Sequence, residues 1–351
     1  MEASSTAPIR VLVVEDSGSL NLLMKTVLNA DPQIHVVGVA YNGKEALELV
    51  PKLKPDIITM DIHMPVMDGM EATKQIMAYH PTPILIVSYS VFTGGMNMVF
   101  QSIAYGALDV VEKKEVFFQG EKFFSSQLVE KVKLLSKVRV VRHPLAVLEK
   151  KERVITSASW GGKKKLLDKI VAIATSTGGP HALSVILKKL PKDFPCGIIV
   201  VQHITTGFDT GLAGWLGSEC AVKVKIAENG EEIQPGVVYI APCDSHTSVG
   251  EDRKIHLSDE PDRDGHKPSA DVLLESVAKV YRAKAVGVIL TGMGRDGAMG
   301  MRAIKRAGGQ TIAQDEKSCM VFGMPKAAMD LEKIDRILPL EQIADEIANK
   351  L

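Results

Sequence analysis

Short apolar runs alternate with segments of helical period along most of the 351-residue sequence, and this alternation constrains the fold more than any other feature. Apolar runs of four to eight residues are typical of strands buried on both faces, and the segments of 3.6-residue period between them predict helices. Repeated strand–helix units form parallel sheets that are covered by helices on both sides. The sequence therefore predicts an α/β fold.

Two such series occur, separated by a basic stretch without clear periodicity. A chain of this length exceeds the size at which one hydrophobic core keeps growing, so two domains are expected. We predict two doubly wound parallel-sheet domains at residues 1–137 and 168–351, joined by a linker at 138–167 that contains Pro144. The strands are predicted at 9–14, 35–40, 56–60, 83–88, 108–112, 169–175, 197–203, 237–241, 285–291 and 310–313.

The charge balance argues against a nucleic-acid-binding protein. Lysine and arginine together number 42, as do aspartate and glutamate, and no basic helix-turn-helix segment is visible. The N-terminal residues contain no apolar signal-peptide core, and no run of about 18 apolar residues occurs, so we expect a cytoplasmic chain without membrane insertion. The four cysteines form no C-x-x-C pair, which favours reduced thiols over a zinc site or disulfides.

Acidic side chains follow two strands of the first series at the points where those strands end. Glu15 and Asp16 come directly after the first strand, and Asp61 follows the third. Because the carboxyl ends of parallel strands meet at one edge of the sheet, we expect the three carboxylates to lie close together. Such a group favours a hard divalent cation, and Mg²⁺ accepts carboxylate, water and phosphate oxygens. The pattern predicts a Mg²⁺ site beside a carboxylate nucleophile, as in aspartyl-phosphate chemistry.

A hydroxyl and an ammonium group end the next two strands of this series. Ser88 closes the fourth strand and Lys113 follows the fifth, so both are expected at the same edge as the carboxylates. These are groups that would bind phosphoryl oxygens. Any one of the acidic residues alone is more typical of a loop or a helix cap, but five compatible groups at five strand ends favour the functional interpretation.

The second series begins with a strand, a glycine-containing turn and a helix, predicted by IVAIATSTGGPHALSVILKKLP. Ser176 lies in the turn and Pro180 suits the first turn of the helix, whose N-terminal amides can stabilise an oxyanion. The turn departs from the G-x-S-x-G nucleophile elbow at its first glycine. Taken alone, it fits a phosphate-binding loop or a helix cap better than a nucleophile.

Two further strand ends supply partners for the serine. His203 follows the strand GIIVVQ, and Asp296 lies on the glycine-rich loop of VGVILTGMGRDGA. A serine nucleophile needs a base to accept its proton, and the base needs an acid that fixes its tautomer. Ser176, His203 and Asp296 therefore form a candidate triad. A capping or core histidine and a turn aspartate remain alternative interpretations of the last two residues.

Other polar residues favour no additional site. His246, His256 and His266 lie in polar loops without the spacing of metal ligands, so surface roles are expected. The lysines at 163–165 are expected to be solvated linker residues. Cys319 has no basic neighbour in the sequence and is expected to pack as a structural thiol.

The first series resembles the receiver domain of response regulators over residues 9 to about 135. The motifs that carry this resemblance are VLVVEDS, IITMDIHMPVMDG, ILIVSYS and GALDVVEK, and the D-x-x-M-P-x-M-D-G stretch makes it specific. The resemblance implies a flavodoxin-like domain that accepts a phosphoryl group from a histidine kinase at Asp61. It also implies Mg²⁺ ligands at Glu15, Asp16, Asp61 and a carbonyl near His63, a switch hydroxyl at Ser88 and a phosphate-pairing ammonium at Lys113. Lys114 stands where a proline is usual, which leaves the shape of the following loop open.

The second series, from residue 168 to 351, is similar to the catalytic domain of the chemotaxis protein-glutamate methylesterase family, CheB. The motifs are ATSTGG, VVQH, VYIAP, HKPSADVL, VGVILTGMGRDGAMG and TIAQDEKSCMVFGMP. The resemblance implies a Rossmann-like esterase domain with Ser176 as nucleophile, His203 as base and Asp296 as orienting acid. It also implies oxyanion donors at the amides of Thr177 and Met293.

The same resemblance implies that the substrates are methylated chemoreceptors, that glutamine side chains are also deamidated, and that ester hydrolysis needs no cofactor. It further implies that the receiver domain inhibits the esterase until Asp61 is phosphorylated. Ile204 and Thr205 stand where related proteins often have methionine and proline, so substrate contacts there are open. Two alternatives are a regulated hydrolase of a different signalling protein and a non-catalytic phosphate sink.

Overall fold

The computed structural model describes residues 7–88, 96–113, 121–140 and 168–351. It divides into two compact units, Met1–Lys151 and Glu152–Leu351. Each unit contains a parallel sheet with helices between the strands, which confirms the predicted α/β fold. Most of the predicted linker, residues 141–167, lies outside the described residues, as does Lys114. Among the described helices, none combines the length and the hydropathy that crossing a bilayer requires.

The first unit is built on a five-stranded parallel sheet with the order β2-β1-β3-β4-β5. This is the flavodoxin-like order, in which the chain reverses direction across the sheet between β1 and β3. Its strands are β1 (Ile9–Val14), β2 (Ile34–Ala40), β3 (Ile57–Met60), β4 (Ile84–Ser88) and β5 (Asp109–Glu112). Its helices are α1 (Gly18–Asn29), α2 (Gly43–Leu53), α3 (Gly69–Tyr79), α4 (Met96–Ala104) and α5 (Glu121–Leu135).

Short polar side chains start the first three helices of this unit. The side chains of Ser17, Asn42 and Asp68 accept hydrogen bonds from the backbone N–H groups three residues further on. Each satisfies one of the N–H groups that a helix terminus leaves without an internal partner, and each such cap contributes about 1 kcal/mol. The first two helices begin three or four residues after a strand ends, the third begins nine residues after β3, and the acidic residues lie on the loops after β1 and β3 at the sheet edge.

The second unit is built on a seven-stranded parallel sheet with the order β14-β13-β12-β6-β7-β9-β8, accompanied by the antiparallel hairpin β10-β11. Its strands are β6 (Ile170–Thr175), β7 (Gly197–Gln202), β8 (Lys223–Ile226), β9 (Val237–Ile240), β10 (His246–Val249), β11 (Ile255–Ser258), β12 (Ala285–Ile289), β13 (Gln310–Gln314) and β14 (Arg336–Leu338). Its helices are α6 (Gly179–Leu187), α7 (Asp209–Glu219), α8 (Ala270–Tyr281), α9 (Ala298–Arg306), α10 (Met324–Leu331) and α11 (Leu340–Asn349).

The chain changes direction across this sheet between β6 and β12. From β6 it continues through β7 toward β8 and β9, and it then returns to place β12 on the other side of β6 before adding β13 and β14. The loops that follow two such adjacent strands diverge and leave a crevice at their carboxyl ends, which is where open α/β sheets bind ligands. The fold thus places Ser176 and Asp296 at the seam between β6 and β12, and His203 after the neighbouring strand β7.

The core of the second unit is formed by the sheet strands and by α8. All six residues of β6 and all six of β7 are buried, and the side chains of Leu273, Leu274 and Val277 on α8 are fully buried. Each such aliphatic side chain contributes roughly 1.5 to 3 kcal/mol when it leaves water. The strands that precede Ser176 and His203 are therefore held firmly by the core.

Candidate functional sites

The carboxylates of the first unit lie together as the sequence predicts. Glu15 and Asp16 follow β1 and Asp61 follows β3, and one oxygen from each lies within 4.8 Å of the others. Glu15 and Asp61 are buried, whereas Asp16 is exposed. A group of hard oxygen donors with one exposed member fits a Mg²⁺ ion that keeps several water ligands.

The ammonium group of Lys113 lies between two of these carboxylates. Its Nζ is 2.6 Å from Glu15 Oε2 and 2.8 Å from Asp61 Oδ2, and all three side chains are almost fully buried. Burial raises the pKa of the Glu15 carboxyl, and the hydrogen bond and charge of Lys113 oppose this effect. Lys113 thus compensates the negative charge at this edge.

Two further contacts orient the groups around Asp61. The Ile62 N–H donates to Asp61 Oδ1 at 2.7 Å, and the Lys113 N–H donates to the Ser88 carbonyl at 2.8 Å. The Ser88 hydroxyl is buried and has no hydrogen-bond partner within the described part of the chain. A buried hydroxyl without a partner is costly unless a ligand or water completes it. The structure places Ser88 and Lys113 at the predicted edge.

Ser176 lies directly after β6, in a turn that backbone contacts hold tightly. Its N–H donates to the Thr291 carbonyl at 3.1 Å, and its carbonyl accepts the Gly179 N–H at 2.8 Å. Gly178 has a φ of 78°, and a Cβ there would lie 2.8 Å from the Cβ of Met320, so only glycine fits this turn. Helix α6 starts immediately afterwards, with Pro180 in its first turn as predicted.

Asp296 receives more hydrogen bonds than any other carboxylate of this site. His203 Nε2 lies 2.8 Å from Asp296 Oδ2. The start of helix α8 and the next residue of its own loop supply the rest. These donors are the Ser269 hydroxyl at 2.8 Å and the N–H groups of Ala270 at 2.6 Å, Asp271 at 3.0 Å and Gly297 at 3.0 Å.

These donors keep Asp296 ionised. Burial alone would raise the pKa of its carboxyl, but the hydrogen bond and charge of His203 and the amides of Ala270 and Asp271 outweigh burial and lower the pKa to about 2. The N-terminus of a helix favours a negative charge for the same reason. Because an ionised carboxylate only accepts hydrogen bonds, the proton of the His203–Asp296 contact belongs to Nε2.

The other ring nitrogen of His203 is therefore the basic one. Nδ1 is buried and makes no hydrogen bond with any described residue, Ser176 included. The half of the triad that joins base and acid is formed, while the bond between nucleophile and base is open. A catalytic hydrogen bond of this kind is often long or unformed without substrate.

Gln202 joins the nucleophile and the base, and sequence reasoning missed it. Its side-chain amide donates to the carbonyls of Ser176 and His203, both at 2.8 Å, and the residue is buried. The Gln202 side chain fits here because residue 179 is a glycine: a Cβ at Gly179 would lie only 1.9 Å from Gln202 Oε1. The one available signal was a polar residue at the end of an otherwise apolar strand.

One predicted oxyanion donor, Thr177, lies in the serine turn, and the other, Met293, lies on the loop after β12. Thr177 is buried, and its carbonyl accepts the Thr291 hydroxyl at 2.9 Å. Met293 follows β12 and is 44% exposed. The N–H groups of both residues have no hydrogen-bond acceptor among the described residues, so both can donate to a bound oxyanion.

The expectation of surface roles for the three loop histidines is wrong for His246. This residue is buried: its Nδ1 accepts the Ser269 N–H and its Nε2 donates to the Pro261 carbonyl, both at 3.1 Å. His266 is half-buried against His203, and His256 pairs with Asp252. Loop composition could not reveal these contacts because they are tertiary. In the described ranges, the carboxylates of Glu15, Asp16 and Asp61 are the only group of three or more candidate metal ligands.

The cysteines agree with the expectation of unpaired thiols. All four are free, and Cys196 is buried while the other three are half-buried. Burial raises the pKa of the Cys319 thiol to about 12. A thiol with such a pKa is protonated at neutral pH and unreactive, which fits a packing role.

Comparison with known proteins assigns both parts of the chain. The family described as CheB methylesterase matches residues 171–347, and the response regulator receiver domain matches residues 11–119. A protein-glutamate methylesterase/protein-glutamine glutaminase of Halalkalibacterium halodurans is 42% identical over 97% of this chain and 98% of its own length. A protein of the same description from Archaeoglobus fulgidus is 42% identical, over 98% of both chains.

A solved structure agrees with this assignment. The crystal structure of the CheB methylesterase catalytic domain of Thermotoga maritima is 42% identical in sequence and matches with a TM-score of 0.51. The match covers 52% of this chain and 98% of the Thermotoga maritima chain. The relatives match nearly the whole chain, and the second unit matches a catalytic domain of known structure. The chain belongs to the CheB protein-glutamate methylesterase family and joins a receiver domain to a methylesterase domain.

Proposed function

We propose that the chain hydrolyses methyl esters of glutamate side chains on methylated chemoreceptors, under control of phosphorylation at Asp61. The observation that carries the enzymatic part is the His203–Asp296 pair, which leaves Nδ1 of His203 without a hydrogen bond, while Gln202 joins the backbone of His203 to that of Ser176. The names of the relatives support the choice of ester. In this proposal the receiver domain comprises residues 1–137, the linker 138–167 and the esterase domain 168–351, and the protein acts in the cytoplasm.

The reaction begins with attack of Ser176 Oγ on the ester carbonyl. As the new C–O bond forms, the hydroxyl proton passes to His203 Nδ1, and Asp296 stabilises the resulting imidazolium. The negative charge that develops on the carbonyl oxygen is bound by the N–H groups of Thr177 and Met293. Collapse of the tetrahedral intermediate breaks the bond to the methoxy group, which leaves as methanol with the proton from His203.

Water completes the cycle. It attacks the glutamyl ester of Ser176 while Nδ1 of His203 accepts one of its protons, and Ser176 then leaves with that proton. These steps need no metal or organic cofactor. A glutamine side chain undergoes the same attack with ammonia as the leaving group, which corresponds to the glutaminase part of the relatives' names.

In the receiver domain, the carboxylate of Asp61 accepts the phosphoryl group from a histidine kinase. Glu15, Asp16 and Asp61 hold Mg²⁺, which supplies positive charge to the phosphoryl oxygens when it is bound. The ammonium of Lys113 pairs with a phosphoryl oxygen, and the unpartnered hydroxyl of Ser88 donates to another.

The direct test is methanol release from methylated receptor. We expect Ser176→Ala to lower the rate on the order of 10⁴-fold or more, because the remaining groups cannot replace the nucleophile. Ser218→Ala is a matched control, since its hydroxyl only donates to the Trp215 carbonyl on α7. If Ser176→Ala keeps full hydrolysis, the assignment is wrong.

The regulatory part is tested by the same assay with and without acetyl phosphate and Mg²⁺. We expect stimulation of the whole chain and none of its Asp61→Asn variant. A shortened chain that begins near Leu166 should exceed the unphosphorylated whole chain in activity. Equal activity of the two would refute inhibition by the receiver domain.

A further inference from the structure

A second histidine lies flat against the proposed base. The rings of His203 and His266 are parallel within 3°, with centroids 4.3 Å apart. His266 is half-buried and belongs to the segment between the hairpin and helix α8. The proposed chemistry assigns it no role, although it covers one face of His203.

The local backbone presents His266 on a tight turn. The Arg263 N–H donates to the His266 carbonyl at 3.1 Å, and the His266 N–H donates to the Arg263 carbonyl at 3.0 Å. The two residues between them, Asp264 and Gly265, have φ values of 51° and 80°. Positive φ at both central positions is the mark of a type I′ turn, for which Asp-Gly is a favoured pair.

Both ends of this segment are fixed to the rest of the unit. The guanidinium of Arg263 makes two hydrogen bonds to Glu275 on α8, at 2.6 and 2.8 Å. On the other side, the hydroxyl of Ser269 donates to Asp296 at 2.8 Å. The turn that carries His266 is therefore held at a fixed position relative to Asp296, which binds His203.

The stacking matters because one hydrogen bond does not fix an aromatic ring. The bond from Nε2 to Asp296 sets the position of one atom of His203, but the ring can still tilt about it. The plane of the ring decides where the lone pair of Nδ1 points. A parallel ring packed against one face removes that tilt.

His266 is suited to this role as a neutral ring. Burial lowers the pKa of its imidazole and the charge of His203 lowers it further, while Asp296, Asp264 and Asp262 act in the opposite direction. A neutral aromatic ring attracts a cation placed over its face, whereas a second imidazolium would repel it. The stack therefore tolerates the imidazolium that forms on His203 during the reaction.

We propose that His266 is a positioning residue that sets the ring plane of His203 and so aims Nδ1 at the hydroxyl of Ser176. This inference rests on the proposed function. The ring nitrogens of His266 make no hydrogen bond with other described residues, and its contact with the site is the stacking of its flat ring on His203.

The test compares His266→Ala with His266→Phe, which keeps a flat ring, in the full-length chain. The first measurement is the rate of covalent labelling of Ser176 by a fluorophosphonate, which requires an activated serine but no methyl ester. The second is kcat and KM for methanol release. We expect His266→Ala to lower labelling and kcat by about 10-fold to 100-fold with little change in KM, as expected for a misaligned base, and His266→Phe to restore most of the loss.

His256→Ala is the matched control, because His256 pairs with Asp252 on the hairpin and should label at the wild-type rate. Thermal unfolding of each variant identifies loss of fold. Wild-type labelling in His266→Ala would overturn the proposal, and so would a folded His266→Phe as slow as His266→Ala. Labelling that depends on His266 in a chain that releases no methanol would support this inference while refuting the proposed substrate.

Discussion

Asp61 and Asp296 occupy similar positions in the two units, in loops at the carboxyl ends of parallel strands, but their surroundings differ. Asp61 shares its edge with two other carboxylates, and its charge is compensated by the ammonium of Lys113. Asp296 accepts five hydrogen bonds, three of them from backbone amides that cannot move away.

The difference agrees with the roles that we propose for the two carboxylates. A lysine ammonium on a flexible side chain can leave Asp61 and follow a phosphoryl group, so the compensation of Asp61 is exchangeable. Backbone amides at a helix N-terminus are fixed, so the charge of Asp296 is permanent. In the proposed function, the carboxyl edge of one sheet thus provides a reactive carboxylate, and the corresponding edge of the other sheet provides an orienting one.

The largest expected effect comes from neutralising the permanent charge. Asp296→Asn should lower kcat for methanol release on the order of 10⁴-fold, because an amide neither stabilises the imidazolium nor fixes the tautomer of His203. Asp271→Asn is the control. Asp271 is also a buried carboxylate, but its side chain accepts the Gly300 N–H and makes no contact with His203. A loss below about 10-fold in Asp296→Asn would mean that the charge is dispensable, against the usual behaviour of such triads.

Removing the ammonium group of Lys113, the exchangeable charge, should lower the free energy of unfolding of the first unit. Without Mg²⁺ at pH 7, Lys113→Met should destabilise the first unit by about 3 kcal/mol, because it leaves buried carboxylates without compensation. Mg²⁺ should then raise the unfolding temperature of the variant more than that of the wild type. Lys131→Met removes a pair with the single carboxylate Asp109 and should respond less to Mg²⁺. An equal response of both variants would contradict the exchangeable role of Lys113.

The pH dependence of stability sharpens the contrast within the esterase unit. Burial raises the pKa of Asp271 to about 6, so its stabilising contribution is present at low pH and is lost as the pH rises from about 4 through 6. The lowered pKa of Asp296 has the opposite sign, and its contribution is lost only as the pH falls from about 4 toward 2.

As the pH rises from 4 to 7, the free energy of unfolding of Asp271→Asn should therefore increase by roughly 2 to 3 kcal/mol relative to that of the wild type, since one pKa unit corresponds to about 1.4 kcal/mol. Urea unfolding at several pH values measures this. A constant difference between the two proteins over that range would show that Asp271 does not titrate as its burial predicts.

The smallest expected effect concerns the loop after Asp61. Val66 has a φ of 68° and is 81% exposed, whereas the loop around Asp296 has glycines at its positive φ values, Gly294 and Gly297. A β-branched residue in the left-handed backbone conformation costs about 1 to 2 kcal/mol, and asparagine adopts this conformation more easily. Val66→Asn should stabilise the first unit by about 1 kcal/mol in thermal unfolding. Leu22→Asn, at an exposed helical position, should not raise the unfolding temperature. If the two variants change the unfolding temperature equally, the backbone at Val66 is not strained.

Much of the fold was predictable because the central strands are buried on both faces. Their apolar runs gave the strand positions within one or two residues, and parallel topology then placed Ser176, His203 and Asp296 at one edge. The edge strands β8 and β14 were missed because their residues are largely half-buried or exposed and form no apolar run. The hairpin β10-β11 was missed because both strands are only four residues long and β10 has a single apolar residue, Val249.

The site was predictable where a residue ends a strand or lies on the loop that follows it, as Ser88, Ser176, His203 and Asp296 do. Gln202, Ser269 and His266 make contacts between segments that are far apart in the sequence, and only Gln202, a polar residue at the end of an apolar strand, gives a local signal. Their placement depends on the assembled sheet and on the start of helix α8. Tertiary packing, which a single sequence does not encode locally, decides these contacts.

The seam between β6 and β12 has a consequence for biosynthesis. A ribosome adds residues in order, and domains generally fold as their chain emerges. The nascent polypeptide exposes the serine and the histidine long before β12 brings the aspartate to their side. If the proposed triad is correct, the growing chain therefore lacks its orienting acid until the residues that follow β12 have been added.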